Sequence, residues 1–435
     1  MKITVPYGDG VLSAALPAGF EVSTLDVAAA PALLDPAAQL QTGLREPIGL
    51  PSPPLDAVRP GDTVTIVVSD SFRRTGIEVI LPALLEALAA RGVLDGDIRF
   101  LVSTGTHRGP TAEELEEILG AAVFARFSGQ SLAHDPHDRA NLRHLGVTRR
   151  GTPIWINRHA LECGHLIVTG TTVLHYFGGF GGGRKSIVPG IAGVETIAHN
   201  HALNLHATED VLNPDVRIGA LDGNPVAEDM LEASRPVPVR CLINTVLNGT
   251  GEIAGLFVGE LEAAHRAAAD FAAALFVAPI DERRDFVVAS AGSAKNFIQS
   301  HKSLFNAYQA IRPGGVIVLL AEAREGYGGN KIAQWLSLGT PARVIAALRE
   351  KAEINGQTAL STLEKARQTL FITGLSEAEV VLLGGVKAES LEAALGMLPE
   401  RLGPAGPCGY RGYVMPHASY TVPQWEKGAL WAPRT

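Results

Sequence analysis

The chain has 435 residues, a formal net charge of −8, and 46% hydrophobic and 6% aromatic residues. That is enough apolar material for a large core and two domains, and the acidic balance with few aromatics argues against a nucleic-acid partner. No run approaches the roughly 20 apolar residues of a membrane helix. Cys163, Cys241 and Cys408 are far apart, odd in number and form no C-x-x-C, which suits a reducing compartment without a disulfide framework. The N-terminus lacks the apolar segment of a signal peptide, so a cytoplasmic protein is expected.

Residues 1–27 alternate apolar and polar positions and predict short strands with turns. Residues 28–46 predict helix with proline interruptions, and 48–61 a loop. A buried strand follows at 62–69, then the polar turn Asp70-Ser71-Phe72-Arg73-Arg74-Thr75-Gly76. Ile77, Ile80, Leu81, Leu84, Leu85 and Leu88 share one side of a helix over 77–92. A strand at 98–103 ends in Thr104-Gly105-Thr106-His107-Arg108, before an acidic helix start at 112–119. Strand, polar loop and helix in repetition predict a parallel sheet. A further strand at 166–170 leads into a glycine-rich loop. Ligands in such sheets bind beyond the carboxyl ends of strands, so three loops are expected on one edge.

His134, His137, His144, Arg149 and Arg150 are expected as surface and turn residues. Residues 237–258 predict strands and 259–276 an alanine-rich helix. A second α/β segment starts near Pro279, with a strand at 285–291, a helix bearing Gln299 and Lys302, and a strand at 316–321. Helices at about 330–338 and 340–367 follow, then strands near 369–373 and 379–384, a helix at 389–397 and a strand-like stretch at 412–415. The expected architecture is two α/β domains with mostly parallel sheets. They span 1–277 and 278–435, with the tail packing back on the first domain and the active site in the cleft between them.

The densest chemistry lies in 174–201. Gly178, Gly179, Gly181, Gly182 and Gly183 surround Phe180, and Arg184, Lys185 and Ser186 follow. Such a loop allows backbone to approach a phosphate or cofactor. It is not a P-loop, because Arg184 stands between the last glycine and the lysine. The loop ends together offer Asp70, Arg73, His107, His175, Lys185, His201, Gln299 and Lys302. Histidines, cations and a lysine-bearing loop suit acid–base work on a small anionic substrate beside a cofactor. A zinc site from His199, His201 and His206 has weak spacing. The competing readings are a nucleotide-binding phosphotransferase and a non-catalytic metal or cofactor carrier.

These motifs resemble the lactate racemase family, whose members carry a nickel-pincer nucleotide. Asp70-Ser71-Phe72-Arg73 is similar to the family's D-x-T-R-P turn, and Thr104-Gly105-Thr106-His107-Arg108 to its T-G-T-H-R. His134-Asp135 and Leu145-Gly146-Val147-Thr148 with Gly151-Thr152-Pro153 are similar to its H-D and L-G-x-T-x-x-G-x-P. The stretch from His175 to Lys185, with Pro189-Gly190, resembles H-x-F-A-G-F-S-G-G-x-K…P-G. Asn200-His201 closes the set at a spacing of 201 − 185 = 16 residues.

The resemblance implies a racemase or epimerase of a 2-hydroxy acid. It implies Lys185 as the covalent attachment point of the nickel-pincer nucleotide and His201 as the nickel ligand. His107 and His175 are then the acid–base pair, and Arg73, Gln299 and Lys302 hold substrate. Asp70, Thr104, Gly105, Thr106, Gly182 and Gly183 help place cofactor. Cofactor biosynthesis proteins are the implied partners. Phe72, Arg74 and Thr75 depart from the D-x-T-R-P turn, and no tryptophan stands near 350–360. The extra cationic side chains, Arg74 and His301, suit malate or another 2-hydroxy acid rather than lactate.

Overall fold

The computed structural model describes residues 1–27, 30–329, 331–350, 353–406 and 409–425. Cys408 and residues 426–435 of the tail lie outside the described residues. The chain divides into two compact units, one of Ala29–Asn204 and Asn213–Leu275, the other of Met1–Ala28, Leu205–Leu212 and Phe276–Thr435.

In the first unit six strands form one sheet in the order Ile253–Gly259, Val239–Leu247, His165–Thr171, Val64–Ser69, Ile98–Ser103, Ser131–Ala133. All neighbours are parallel except the edge strand Ile253–Gly259. Val64–Ser69 is mostly β-branched and almost wholly buried, as a strand covered on both faces requires. Helix Ile77–Ala89 buries the six apolar side chains expected of it, each worth about 2 kcal/mol.

The connection order fixes where a ligand can sit. From Val64–Ser69 the chain moves outward to Ile98–Ser103 and Ser131–Ala133, then returns to place His165–Thr171 on the other flank. The strand order reverses there, and the crevice beyond the carboxyl ends of those two strands is the natural ligand position. The turns after all three long strands open on that edge, as expected.

The second unit holds a six-stranded, fully parallel sheet. Its order is Val386–Lys387, Thr369–Ile372, Ile311–Leu320, Arg284–Ser290, Tyr410–Met415, Phe20–Thr24. An N-terminal hairpin, Lys2–Tyr7 with Gly10–Ala15, belongs to the same unit.

The expected division at 277/278 needs correction at the N-terminus. Residues 1–28 join the second unit because Phe20–Thr24 extends its sheet beside Tyr410–Met415, with the Phe20 ring 4.7 Å from Tyr410 and 5.5 Å from Phe286. The tail strand therefore sits inside this sheet. The strand expected at 379–384 is helix Glu377–Leu383, started by a reciprocal Ser376–Glu379 capping box and stopped by left-handed Gly384. The helix expected over 340–367 is two, Pro341–Glu350 and Ile354–Ala366.

Candidate active site

Asp70 directly follows Val64–Ser69 and is 3% exposed. Its Oδ2 accepts a 2.6 Å hydrogen bond from Nδ1 of His107, in the turn after the neighbouring strand. Its Oδ1 is buried with no partner among the described residues, an acceptor still open to a ligand. The His107 ring is 44% exposed and packs against Phe72 at 4.8 Å. Arg108 lies over Phe72 and pairs with Glu114, holding that carboxyl down at about 2. Arg73 and Arg74 are exposed in the same turn.

Of the three residues before His107, Thr104 and Gly105 are committed to the fold. The Thr104 hydroxyl donates to His134 O at 2.6 Å, and the Gly105 amide donates to Gly190 O at 2.9 Å. What this turn presents outward is Thr106 and His107, both exposed.

The glycine loop is a short hairpin, Leu174–His175 with Gly179–Phe180, followed by a single 3-10 turn, Gly183–Ser186. Its glycines serve the protein's own packing. At Gly179 (φ +70°) a Cβ would lie 2.0 Å from Ala220 O, and at Gly183 (φ +53°) one would lie 2.5 Å from the His265 ring. The loop amides are also engaged internally: Gly181 N–H with Val173 O, Gly183 N–H with the Asn244 side chain, Lys185 N–H with Gly182 O. A phosphate cradle needs such amides turned outward, so this geometry disfavours the phosphotransferase reading.

Arg184 clamps the loop from beneath. Its guanidinium is buried and donates to Gly178 O at 2.6 Å, Ala227 O at 3.1 Å and His265 Nδ1 at 3.1 Å. His265 in turn donates Nε2–H to Gly181 O at 2.8 Å. Burial pushes Arg184 down to about 10 and His265 down to about 3. Sequence reasoning missed this pair, and missed Asn244. The signals were an arginine inside the loop itself and an asparagine within the apolar strand Val239–Leu247.

Lys185 is half-buried, with its side chain beside Gly178. His201 is on helix Val194–Ala202, 5% exposed, and donates Nδ1–H to Ile197 O at 2.9 Å. That bond puts the ring's lone pair on Nε2, the arrangement a metal-binding histidine uses. Burial, then the Lys185 charge, push His201 down to about 4. The Phe177 ring stands 6.2 Å from it, edge to face. His199 is exposed, about 200° around the helix from His201. Among the described residues no group of three or more His, Cys, Asp or Glu is placed to hold a metal, so the three-histidine zinc site is not formed.

His175 is buried and its Nδ1 accepts the amide N–H groups of Phe177 at 3.1 Å and Gly178 at 3.3 Å. Tyr176 stacks on its ring at 5.0 Å.

Two resembling motifs have structural roles here. Asp229 is fully buried and accepts the hydroxyls of Thr148 and Thr152 and the amide of Asn200. That knot ties the 142–157 hairpin to the helix carrying His201. His134 donates to Ala192 O and accepts from Asn157, with burial lowering its pKa. Arg149 and Arg150 pair with Glu232 and Glu228 at the surface, as expected.

In the other unit, helix Phe297–Ala310 carries Gln299 and Lys302. Gln299 is exposed, and its Oε1 accepts Lys295 N–H while its own N–H caps onto Asn296. Lys302 is half-buried. His301 is fully buried, bonds Ser361 Oγ at 3.1 Å, and is pushed down to about 3 by burial and then by Lys365. It is neutral near pH 7, which removes it from the expected set of added cations.

A family model described as lactate racemase N-terminal domain matches residues 7–212. A lactate racemase from Thermoanaerobacterium thermosaccharolyticum is 32% identical over 276 residues, 62% of each chain. One from Lactiplantibacillus plantarum is 34% identical over 295 residues, 67% of each chain. The solved structure of the lactate racemase apoprotein from T. thermosaccharolyticum superposes with a TM-score of 0.86 at 25% identity, over 98% of this chain and all of that one. A Thermotoga maritima protein shares the fold, with a TM-score of 0.66 at 17% identity. No helix among the described residues is long and apolar enough to cross a membrane.

Proposed function

Since the chain belongs to the lactate racemase family, we propose that it interconverts the stereoisomers of a 2-hydroxy acid with a nickel-pincer nucleotide held on Lys185. The observation that carries the reading is the pairing of two elements beside the sheet's switch point. One is the half-buried Lys185 with the buried His201 imidazole close by; the other is the Asp70–His107 pair at the neighbouring strand ends.

In this reading His201 holds nickel through Nε2. When bound, the group supplies an electrophilic ring that accepts the α-hydrogen as hydride. The α-hydrogen of an ionised hydroxy acid is not acidic enough for easy removal as a proton, so the protein's task is to take the hydroxyl proton. His107, exposed and steered by Asp70, and His175, in the hairpin, form the acid–base pair. A planar 2-oxo acid is left when one histidine takes the hydroxyl proton, and the histidine on the opposite face would give the oxygen a proton as the other stereoisomer forms. Arg73 holds the carboxylate, and Arg108, tied to Glu114, stiffens the His107 turn. Cofactor biosynthesis proteins are the partners this chemistry requires.

The substrate proposal is malate or another polar 2-hydroxy acid. It now rests on Arg74 alone, exposed beside Arg73, because His301 is buried and neutral. Chiral chromatography of a hydroxy-acid panel with nickel-loaded enzyme tests both levels. Racemisation of any member supports the function. An unchanged malate-to-lactate preference in Arg74→Ala would remove the dicarboxylate reading and leave the function standing.

A further inference from the structure

The two histidines are gripped differently at the same atom. Nδ1 of His107 faces a carboxylate oxygen at 2.6 Å. A carboxylate accepts and does not donate, so Nδ1 carries the proton, and in the neutral ring the lone pair lies on Nε2. Nδ1 of His175 faces two backbone N–H groups, from Phe177 at 3.1 Å and Gly178 at 3.3 Å. Amides donate and do not accept, so here Nδ1 carries the lone pair and Nε2 the proton. The second pattern is a local turn geometry, because His206 repeats it with the amides of Thr208 and Glu209 at 3.5 and 3.0 Å. Each ring is also braced by an aromatic side chain, Phe72 on His107 and Tyr176 on His175.

We infer that His107 and His175, as neutral rings, are held in opposite tautomers, with Asp70 as the positioning residue for His107 and the Phe177–Gly178 amide pair fixing His175. The inference rests on the racemase reading for its consequence, not for its geometry. His107 Nε2 is ready to accept a hydroxyl proton. His175 Nε2 carries the proton. A stereoisomer presenting its hydroxyl to His107 is deprotonated directly. One presenting it to His175 requires the ring first to leave its two amides, with the proton moved to Nδ1. The site is therefore one-sided although its reaction is symmetric. The sequence pattern of one histidine per loop end does not reveal this, since the resemblance makes Asp70 a cofactor contact.

The test is long-range 15N–1H correlation of the full chain labelled with 15N-histidine, with His107→Gln and His175→Gln used only to assign signals. The expected result is an Nδ1–H signature for His107 and an Nε2–H signature for His175. Matching tautomers would overturn the inference, and this arm reads it whether or not the chain is a racemase. In Asp70→Ala the His107 signal should become a tautomer mixture while His175 stays unchanged. In loaded enzyme kcat should fall about 10²- to 10⁴-fold with KM nearly constant, and Asp70→Glu should restore part of it. A His107 signal indifferent to Asp70→Ala would refute the positioning role. Should that variant fail to fold, the spectrum of the unaltered chain still decides the tautomers.

Discussion

The turn carrying His107 and the loop carrying Lys185 follow strands of the same sheet, yet they are built in opposite ways. The His107 turn is exposed, and its order comes from charged side chains: Asp70 on His107, and Glu114 on Arg108. The Lys185 loop is mostly buried, and its order comes from amides meeting carbonyls over a buried arginine. The difference teaches where each kind of precision comes from. Charged side chains at an exposed edge leave room for a substrate to enter and leave. A buried loop whose amides meet its own carbonyls fixes Lys185 near the helix that carries His201.

The sharpest way to break this contrast is at the loop. Lys185→Ala should abolish racemisation, beyond about 10⁴-fold, while leaving thermal stability within about 1 kcal/mol of the parent; a chiral assay beside a melting curve checks both. Retained activity would mean the loop holds nothing covalently.

Next is the clamp. Arg184→Met should cost about 3 kcal/mol, because Gly178 O, Ala227 O and His265 Nδ1 lose a buried donor. Denaturant unfolding would register it. A change below about 0.5 kcal/mol would show that the loop is not held from beneath. The exposed turn should behave otherwise: Thr111→Ala, at the capping box with Glu114, should cost only about 1 kcal/mol.

Acid titration separates the two regions by charge. His201, His265 and His301 are neutral in the fold, with pKa values held down at about 4, 3 and 3 by burial. The unfolded chain binds their protons below about pH 6.5, so the unfolded state holds more protons throughout that window. Stability should therefore be full above about pH 6.5 and fall as pH drops toward about 4. The slope is at most about 1.4 kcal/mol per pH unit for each histidine. His265→Gln should shallow the slope. An unchanged slope would mean His265 is not buried as the neutral form.

The sheet edge was legible because buried β-branched runs and amphipathic helices alternate along 62–119 and signal parallel βαβ units directly. The candidate residues were legible because motif chemistry concentrates at strand ends. What stayed hidden depended on contacts between distant positions. Phe20–Thr24 joins the other unit by pairing with Tyr410–Met415, some 390 positions away, and by packing on Phe286. The run 379–384 is apolar enough to read as a strand, whereas the Ser376–Glu379 capping box starts a helix there. The glycines looked ligand-facing, whereas Ala220 and His265 explain Gly179 and Gly183. His301 looked like an added cation because burial has no local signature in sequence.

The most direct measurement is intact and peptide mass on protein produced with nickel and the cofactor's biosynthetic proteins, with nickel counted in parallel. The account predicts a covalent adduct on the peptide containing Lys185 and about one nickel per chain, lost in His201→Ala. An unmodified Lys185 in cofactor-competent cells would contradict it.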